Sequence, residues 1–168
     1  REAENFGFTS SFTIYDSHDS RTLIKRIIKD LDGESYSLTV SGVSNKISRL
    51  KNELADVDSY ARNINENDPS EVKFVEIFRE YTRSLLAANA FDFDDLLAQT
   101  VFLFRAFPHI ADNYRKKFRH ILVDEYQDTN HAQYALIHEL TRECADGTLG
   151  ASLTVVGDSD QSIYAFRG

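Results

Sequence analysis

ILVDEYQDTN, residues 121 to 130, decides how the rest of the chain is read. Three apolar residues, Ile121 to Val123, run straight into the adjacent carboxylates Asp124 and Glu125, followed by Tyr126, Gln127 and Asp128. A short apolar run bounded by polar turn residues reads as a buried strand. Two carboxylates at its tip repel each other, and burying either without a partner is expensive. The stretch asks for a positive partner.

Downstream, a helix is expected from about Asn130 to Glu143. The loop CADGTLG then leads into a second apolar strand, LTVV at 153 to 156. Strand, helix, strand is the pattern of a parallel α/β unit. Two strands make no stable sheet alone, because a parallel sheet wants both faces covered. The remaining strands are therefore expected outside this chain.

Upstream, the pattern is helical. FTIYD reads as a short extended entry. Asp16 and Asp19 have capping-box spacing ahead of Leu23, Ile24, Ile27, Ile28 and Leu31, with Gly33 as the close. A second helix is expected to carry Val43, Ile47, Leu50, Leu54 and Val57 on one face. Asp68 and Pro69 are an N-cap and a first-turn proline opening a long helix through Leu85. Asp92 caps a helix from about Phe93 to Ala106, and Pro108 opens another to about Lys117. The expected fold is mainly α with a small parallel α/β part, divided into residues 1–90 and 91–168.

Both strands end in acids, Asp124 and Asp158, each followed three residues later by Gln, at Gln127 and Gln161. Ligands of parallel α/β folds bind beyond the carboxyl ends of the strands. Metal-assisted phosphate hydrolysis suits such an edge. One carboxylate can hold Mg²⁺, usually through water, the next can orient or deprotonate the attacking water, and a Gln amide can sense the γ-phosphate. Mg²⁺ and a phosphate-binding Lys would then balance the acids.

The last stretch, QSIYAFRG (161 to 168), sets Tyr164, Phe166 and Arg167 close to that edge in sequence. Aromatic faces stack on bases without sequence preference, and Arg holds phosphate or stacks; the same two rings could equally be core.

VDEYQDTNHAQY (123 to 134) and VVGDSDQSIYAFRG (155 to 168) resemble motifs II and III of the UvrD/Rep/PcrA-type superfamily 1 DNA helicases. FDFDDLL (91 to 97) resembles the segment that returns from the family's helical insertion, subdomain 1B, into its first RecA-like P-loop NTPase domain. The helical residues before it are similar in layout to that insertion. The resemblance implies that Asp124 ligates Mg²⁺, that Glu125 is the catalytic base for ATP hydrolysis, and that Gln161 contacts the γ-phosphate, with Gln127 in the same coupling network. It also implies that Phe93 and Tyr164 stack on bases of single-stranded DNA, with Phe166 and Arg167 supporting the contact. Phe166 stands where several family members carry Trp.

The expected function is that of a fragment of an ATP-dependent 3′-to-5′ DNA helicase. Its partners would be single-stranded DNA, single-strand/duplex junctions, and repair or replication proteins in a cytoplasmic, nucleoid-associated setting. No G-x-x-x-x-G-K-[ST] phosphate loop occurs in the 168 residues, so the fragment alone is expected to be inactive. Two other readings stay open: a non-catalytic DNA- or protein-binding module, and the motor part of a helicase-nuclease.

The totals agree. A net charge of −8 argues against binding nucleic acid through overall charge. No apolar run approaches a membrane span, and the sole cysteine, Cys144, can form no internal disulfide, which fits a reducing compartment. The run Arg115, Lys116, Lys117 and Arg119 reads as a solvated helix face. His131 and His138 lack a third ligand and read as surface or packing residues. Asp92, Asp94 and Asp95 read as acids favoured at a helix N-terminus rather than as a metal site.

Overall fold

The computed structural model describes residues 1–158 and 160. Gln161, Tyr164, Phe166 and Arg167 lie outside the described residues. The chain is mainly helical with a small parallel α/β part, as expected, adds a second small parallel sheet that was not, and divides into two compact units, Arg1–Leu96 and the residues from Leu97 on.

Local capping chemistry builds the first unit. The Asp19 N–H donates to Asp16 Oδ1 at 2.8 Å and the Asp16 N–H to Asp19 Oδ2 at 3.2 Å, opening α1 (Ser17–Asp30). Thr39 caps α2 (Val40–Asn52), and Asp68 with Pro69 opens α4 (Pro69–Ala87). Apolar spacing alone would carry α2 on to Val57, but the structure ends it at Asn52. Leu54 takes a left-handed φ of 58°, and Asp56 Oδ1 accepts the Ser59 N–H at 2.7 Å to start a separate α3 (Val57–Ala61). A side-chain cap satisfies a backbone donor locally and outcompetes continuation of the stripe. Gly33 does not supply the left-handed close of α1 either, since Asp32 does so at φ 54°. Gly33 supplies room: a Cβ there would lie 3.0 Å from Ile77 Cδ1.

Ile24, Ile27 and Ile28 of α1, Val43 and Ile47 of α2, and Phe74, Ile77 and Phe78 of α4 form the core. The extended entry is β1 (Thr13–Tyr15), which pairs in parallel with β2 (Ala90–Asp92) in the register Thr13↔Ala90 to Tyr15↔Asp92. No local signal marks β2, because its strand geometry comes from a partner far away in the sequence. It leads directly into α5 (Phe93–Ala106).

After α5 come α6 (Pro108–Lys117), β3 (His120–Val123), α7 (His131–Thr141) and β4 (Ser152–Val155). Strands β3 and β4 pair in parallel from His120↔Ser152 to Val123↔Val155, the strand–helix–strand unit read from the sequence. The sequence reads the first of them as buried, and it is not: Leu122 is 71% exposed, and on β4 Val155 is 45% exposed. Two strands and one connecting helix cannot cover both faces of a parallel pair.

Arg115 corrects the solvated-face reading of the basic run. Lys116, Lys117 and Arg119 are exposed, but Arg115 is 2% exposed. Its Nη2 lies 3.0 Å from Glu139 Oε2, its Nε donates to the Glu139 carbonyl, and its Nη1 lies 2.6 Å from Asp112 Oδ1. This fork ties α6 to α7, whose buried residues are Ala132, Ala135 and Glu139. His131 and His138 are exposed, in keeping with surface roles.

Candidate functional site

The register of β3 and β4 brings both strand ends to one edge. The Val156 N–H donates to the Val123 carbonyl at 2.8 Å and the Tyr126 N–H to the Val156 carbonyl at 3.0 Å, so pairing continues past the strands themselves. Asp124 and Glu125 follow β3 directly. Glu125 has φ 50° and ψ 44°, a left-handed conformation that costs a non-glycine residue about 1–2 kcal/mol. That turn starts the short 3-10 segment Tyr126–Asp128, and the Glu125 N–H donates to Asp124 Oδ1 at 2.9 Å.

Gln127 joins the two tips. Its Nε2 donates to Glu125 Oε2 at 2.5 Å, and its Oε1 accepts the Asp158 N–H at 3.0 Å. The structure thus brings together Asp124, Glu125, Gln127 and the backbone at Asp158. Gly157 makes the approach possible, since a Cβ there would meet Gln127 Oε1 at 2.7 Å. Gly157→Ala is expected to push that flexible amide aside at little cost in stability, within about 0.5 kcal/mol of the parent by thermal melting. It should break the contact between Gln127 Oε1 and the Asp158 N–H, read as about tenfold faster hydrogen exchange of that amide, the scale of one hydrogen bond. Unchanged exchange would mean that Gln127 does not hold the second strand tip.

A cleft of about 430 Å³ lies at this edge, lined by Val123, Asp124, Glu125, Asp128, Thr129 and Gln133 among others. Asn130 and Gln133 form a capping box at the start of α7, with the Gln133 N–H donating to Asn130 Oδ1 at 2.9 Å. Among the described residues no three His, Cys, Asp or Glu side chains gather into a metal cage. The exposed Asp124 carboxylate is a hard oxygen donor of the kind Mg²⁺ takes, one or two carboxylates beside waters and phosphate oxygens.

Phe93, the first residue of α5, belongs to the other unit and is 57% exposed. Around it lies a network that the sequence did not announce. Lys51, at the end of α2 and 8% exposed, places Nζ 2.6 Å from Asp92 Oδ2 and 2.8 Å from Asp95 Oδ1. Asp92 and Asp95 form a capping box: the Asp95 N–H donates to Asp92 Oδ1 at 2.8 Å and the Asp92 N–H to Asp95 Oδ2 at 3.2 Å. The Tyr81 hydroxyl donates to Asp92 Oδ2 at 2.8 Å, and the Asn52 amide donates to Asp94 Oδ1 at 3.3 Å.

Burial alone would lower the Lys51 pKa, but the Asp95 and Asp92 charges outweigh it and hold the ammonium above its usual range. Burial would likewise raise Asp92, which the Lys51 charge brings below its usual value, whereas burial keeps Asp95 raised. Burial also pushes the Tyr81 hydroxyl up, so it stays a donor. The available signal was a lysine four residues after Ile47, beside the apolar stripe of α2, together with three acids gathered at 92, 94 and 95.

A family model described as the UvrD/REP helicase N-terminal domain matches residues 1–168. The chain belongs to the UvrD/REP helicase family. It is 49% identical over 164 residues to the ATP-dependent DNA helicase UvrD1 of Mycobacterium tuberculosis, covering 96% of this chain and 21% of that protein. It is 50% identical over 169 residues to UvrD1 of Mycobacterium leprae, covering 96% and 22%. To the ATP-dependent DNA helicase PcrA of Leuconostoc citreum it is 36% identical over 168 residues, covering 100% and 21%. This UvrD/REP chain thus spans about a fifth of the length of the curated relatives it matches.

Proposed function

We propose that this chain is the part of an ATP-dependent 3′-to-5′ DNA helicase that carries the catalytic carboxylates and part of the single-stranded DNA path. Residues 1–90 would form the helical insertion and 91–168 the matching part of the first RecA-like domain. The exposed faces of β3 and β4 would be covered by strands and helices elsewhere in the longer protein. The convergence of the β3 and β4 tips through Gln127 carries the reading, because it links a candidate base to the backbone of the neighbouring strand.

In this reading Asp124 would hold Mg²⁺, which when bound would supply positive charge against the nucleotide phosphates. Glu125 accepts a proton from the water that attacks the γ-phosphorus as ADP departs. Gln127 holds the Glu125 carboxylate and, at the same time, the Asp158 N–H three residues before Gln161, the proposed γ-phosphate contact. Loss of that phosphate would then be felt along a segment that ends in the DNA-contacting Tyr164, Phe166 and Arg167. Phe93 would stack on a base from the helical unit. No helix among the described residues is long and apolar enough to cross a membrane; a nucleoid-associated setting with replication or repair partners belongs to the same proposal.

The full-length protein should hydrolyse ATP with Mg²⁺, be stimulated by single-stranded DNA, and unwind duplexes bearing 3′ tails. The 168-residue chain should do neither. Tyr164→Ala should weaken single-stranded DNA binding by about 1–3 kcal/mol in fluorescence anisotropy titrations. A full-length protein without DNA-stimulated ATPase activity would overturn the reading, and an unchanged Tyr164→Ala affinity would return Tyr164 to a packing role.

A further inference from the structure

Of the four residues 92 to 95, three are tied to the end of α2. Asp92 and Asp95 bind Lys51, and Asp94 binds Asn52. Phe93 is left as the exposed side chain of the four, beside a cleft of about 250 Å³ that Tyr15, Asn45 and Ser48 also line. Each carboxylate oxygen of Asp92 and Asp95 has a named partner, and two of those five partnerships run through the single Lys51 ammonium.

We propose that Lys51 is a positioning residue for the Phe93 contact with single-stranded DNA: it neutralises the Asp92–Asp95 capping box so that the first turn of α5 closes and presents the Phe93 ring outward. The proposal rests on the reading of Phe93 as a base-stacking residue. The physical need is plain. A capping box made of two aspartates brings two like charges together in a buried place, where neither is tolerated unpaired. Without the cation, one carboxylate must take a proton or the turn must open, and Phe93 sits inside that turn. Lys51 touches no DNA in this scheme and acts only through the backbone that carries the ring.

The test is a cycle of variants in the full-length protein, with affinity for a fluorescent oligo-dT read by anisotropy. Phe93→Ala is expected to weaken binding roughly 5- to 150-fold. Lys51→Met, which keeps the apolar stem and removes the charge, should reproduce most of that loss. The double variant Lys51→Met/Phe93→Ala should bind no worse than Phe93→Ala alone, a non-additivity that a general loss of stability would not give. Lys51→Met/Asp95→Asn restores the charge balance and should recover affinity to within about threefold of the parent.

Wild-type affinity in Lys51→Met, or losses that multiply in the double variant, would overturn the proposal while leaving Phe93 in its role. Unchanged affinity in Phe93→Ala would instead remove the stacking reading itself, and the proposal with it. Should Lys51→Met fail to fold, the charge-balanced Lys51→Met/Asp95→Asn decides: recovered binding supports the mechanism, and binding as weak as Phe93→Ala sinks it.

Discussion

Glu125→Gln in the full-length protein is expected to slow ATP hydrolysis about 10²-fold or more while leaving nucleotide affinity close to that of the parent. The loss is on the scale of a missing general base. The substitution is informative because of the geometry around it. Gln127 Nε2 donates to Glu125 Oε2, and an amide oxygen at the same place can still accept that bond. The link to the Asp158 N–H therefore survives, and proton acceptance is what the variant loses. Steady-state turnover at saturating single-stranded DNA, beside titration with a fluorescent nucleotide, separates the two effects. Normal turnover would take Glu125 out of the role of base.

Arg115→Ala is expected to destabilise the second unit by about 3–5 kcal/mol, the cost of stripping one partner from a buried pair. Glu139, itself 4% exposed, would keep only the more distant Arg142 at 3.6 Å and Arg105 at 3.9 Å, which places the effect toward the lower end. Replacing both residues, as Arg115→Met/Glu139→Leu, removes both charges and should recover most of the loss. Urea unfolding followed by circular dichroism checks both variants. A parent-like midpoint in Arg115→Ala would mean that the fork contributes nothing net.

Helix starts were legible because their chemistry is local. Asp16 with Asp19, Asp68 with Pro69, Asp92 with Asp95, and Asn130 ahead of α7 each bind a backbone donor two or three residues away. The parallel strand pair was legible for a similar reason, since each apolar run is bounded by turn residues. What the sequence hid was settled by distant partners. The three residues of β2 are a strand because β1 lies beside them, and Lys51 is buried because two acids forty residues on receive it. Arg115 escaped notice because its neighbours in the chain are solvated cations while its partner, Glu139, lies on another helix. At the candidate site, Asp124, Glu125 and Gln127 were named from their spacing. The bond from the Asp158 N–H to Gln127 depends on strand register, which the sequence does not print.

The β1–β2 pairing has a consequence for synthesis. As the chain leaves the ribosome, residues 13 to 15 have no partner until residues 90 to 92 emerge, and the Lys51 ammonium waits for the same segment. Closing so long a loop exacts its entropy before the contacts return anything, which makes this pairing a slow contact relative to the local helix caps. A chain that ends short of Ala90 lacks both the strand that Thr13–Tyr15 pairs with and the acids that neutralise Lys51.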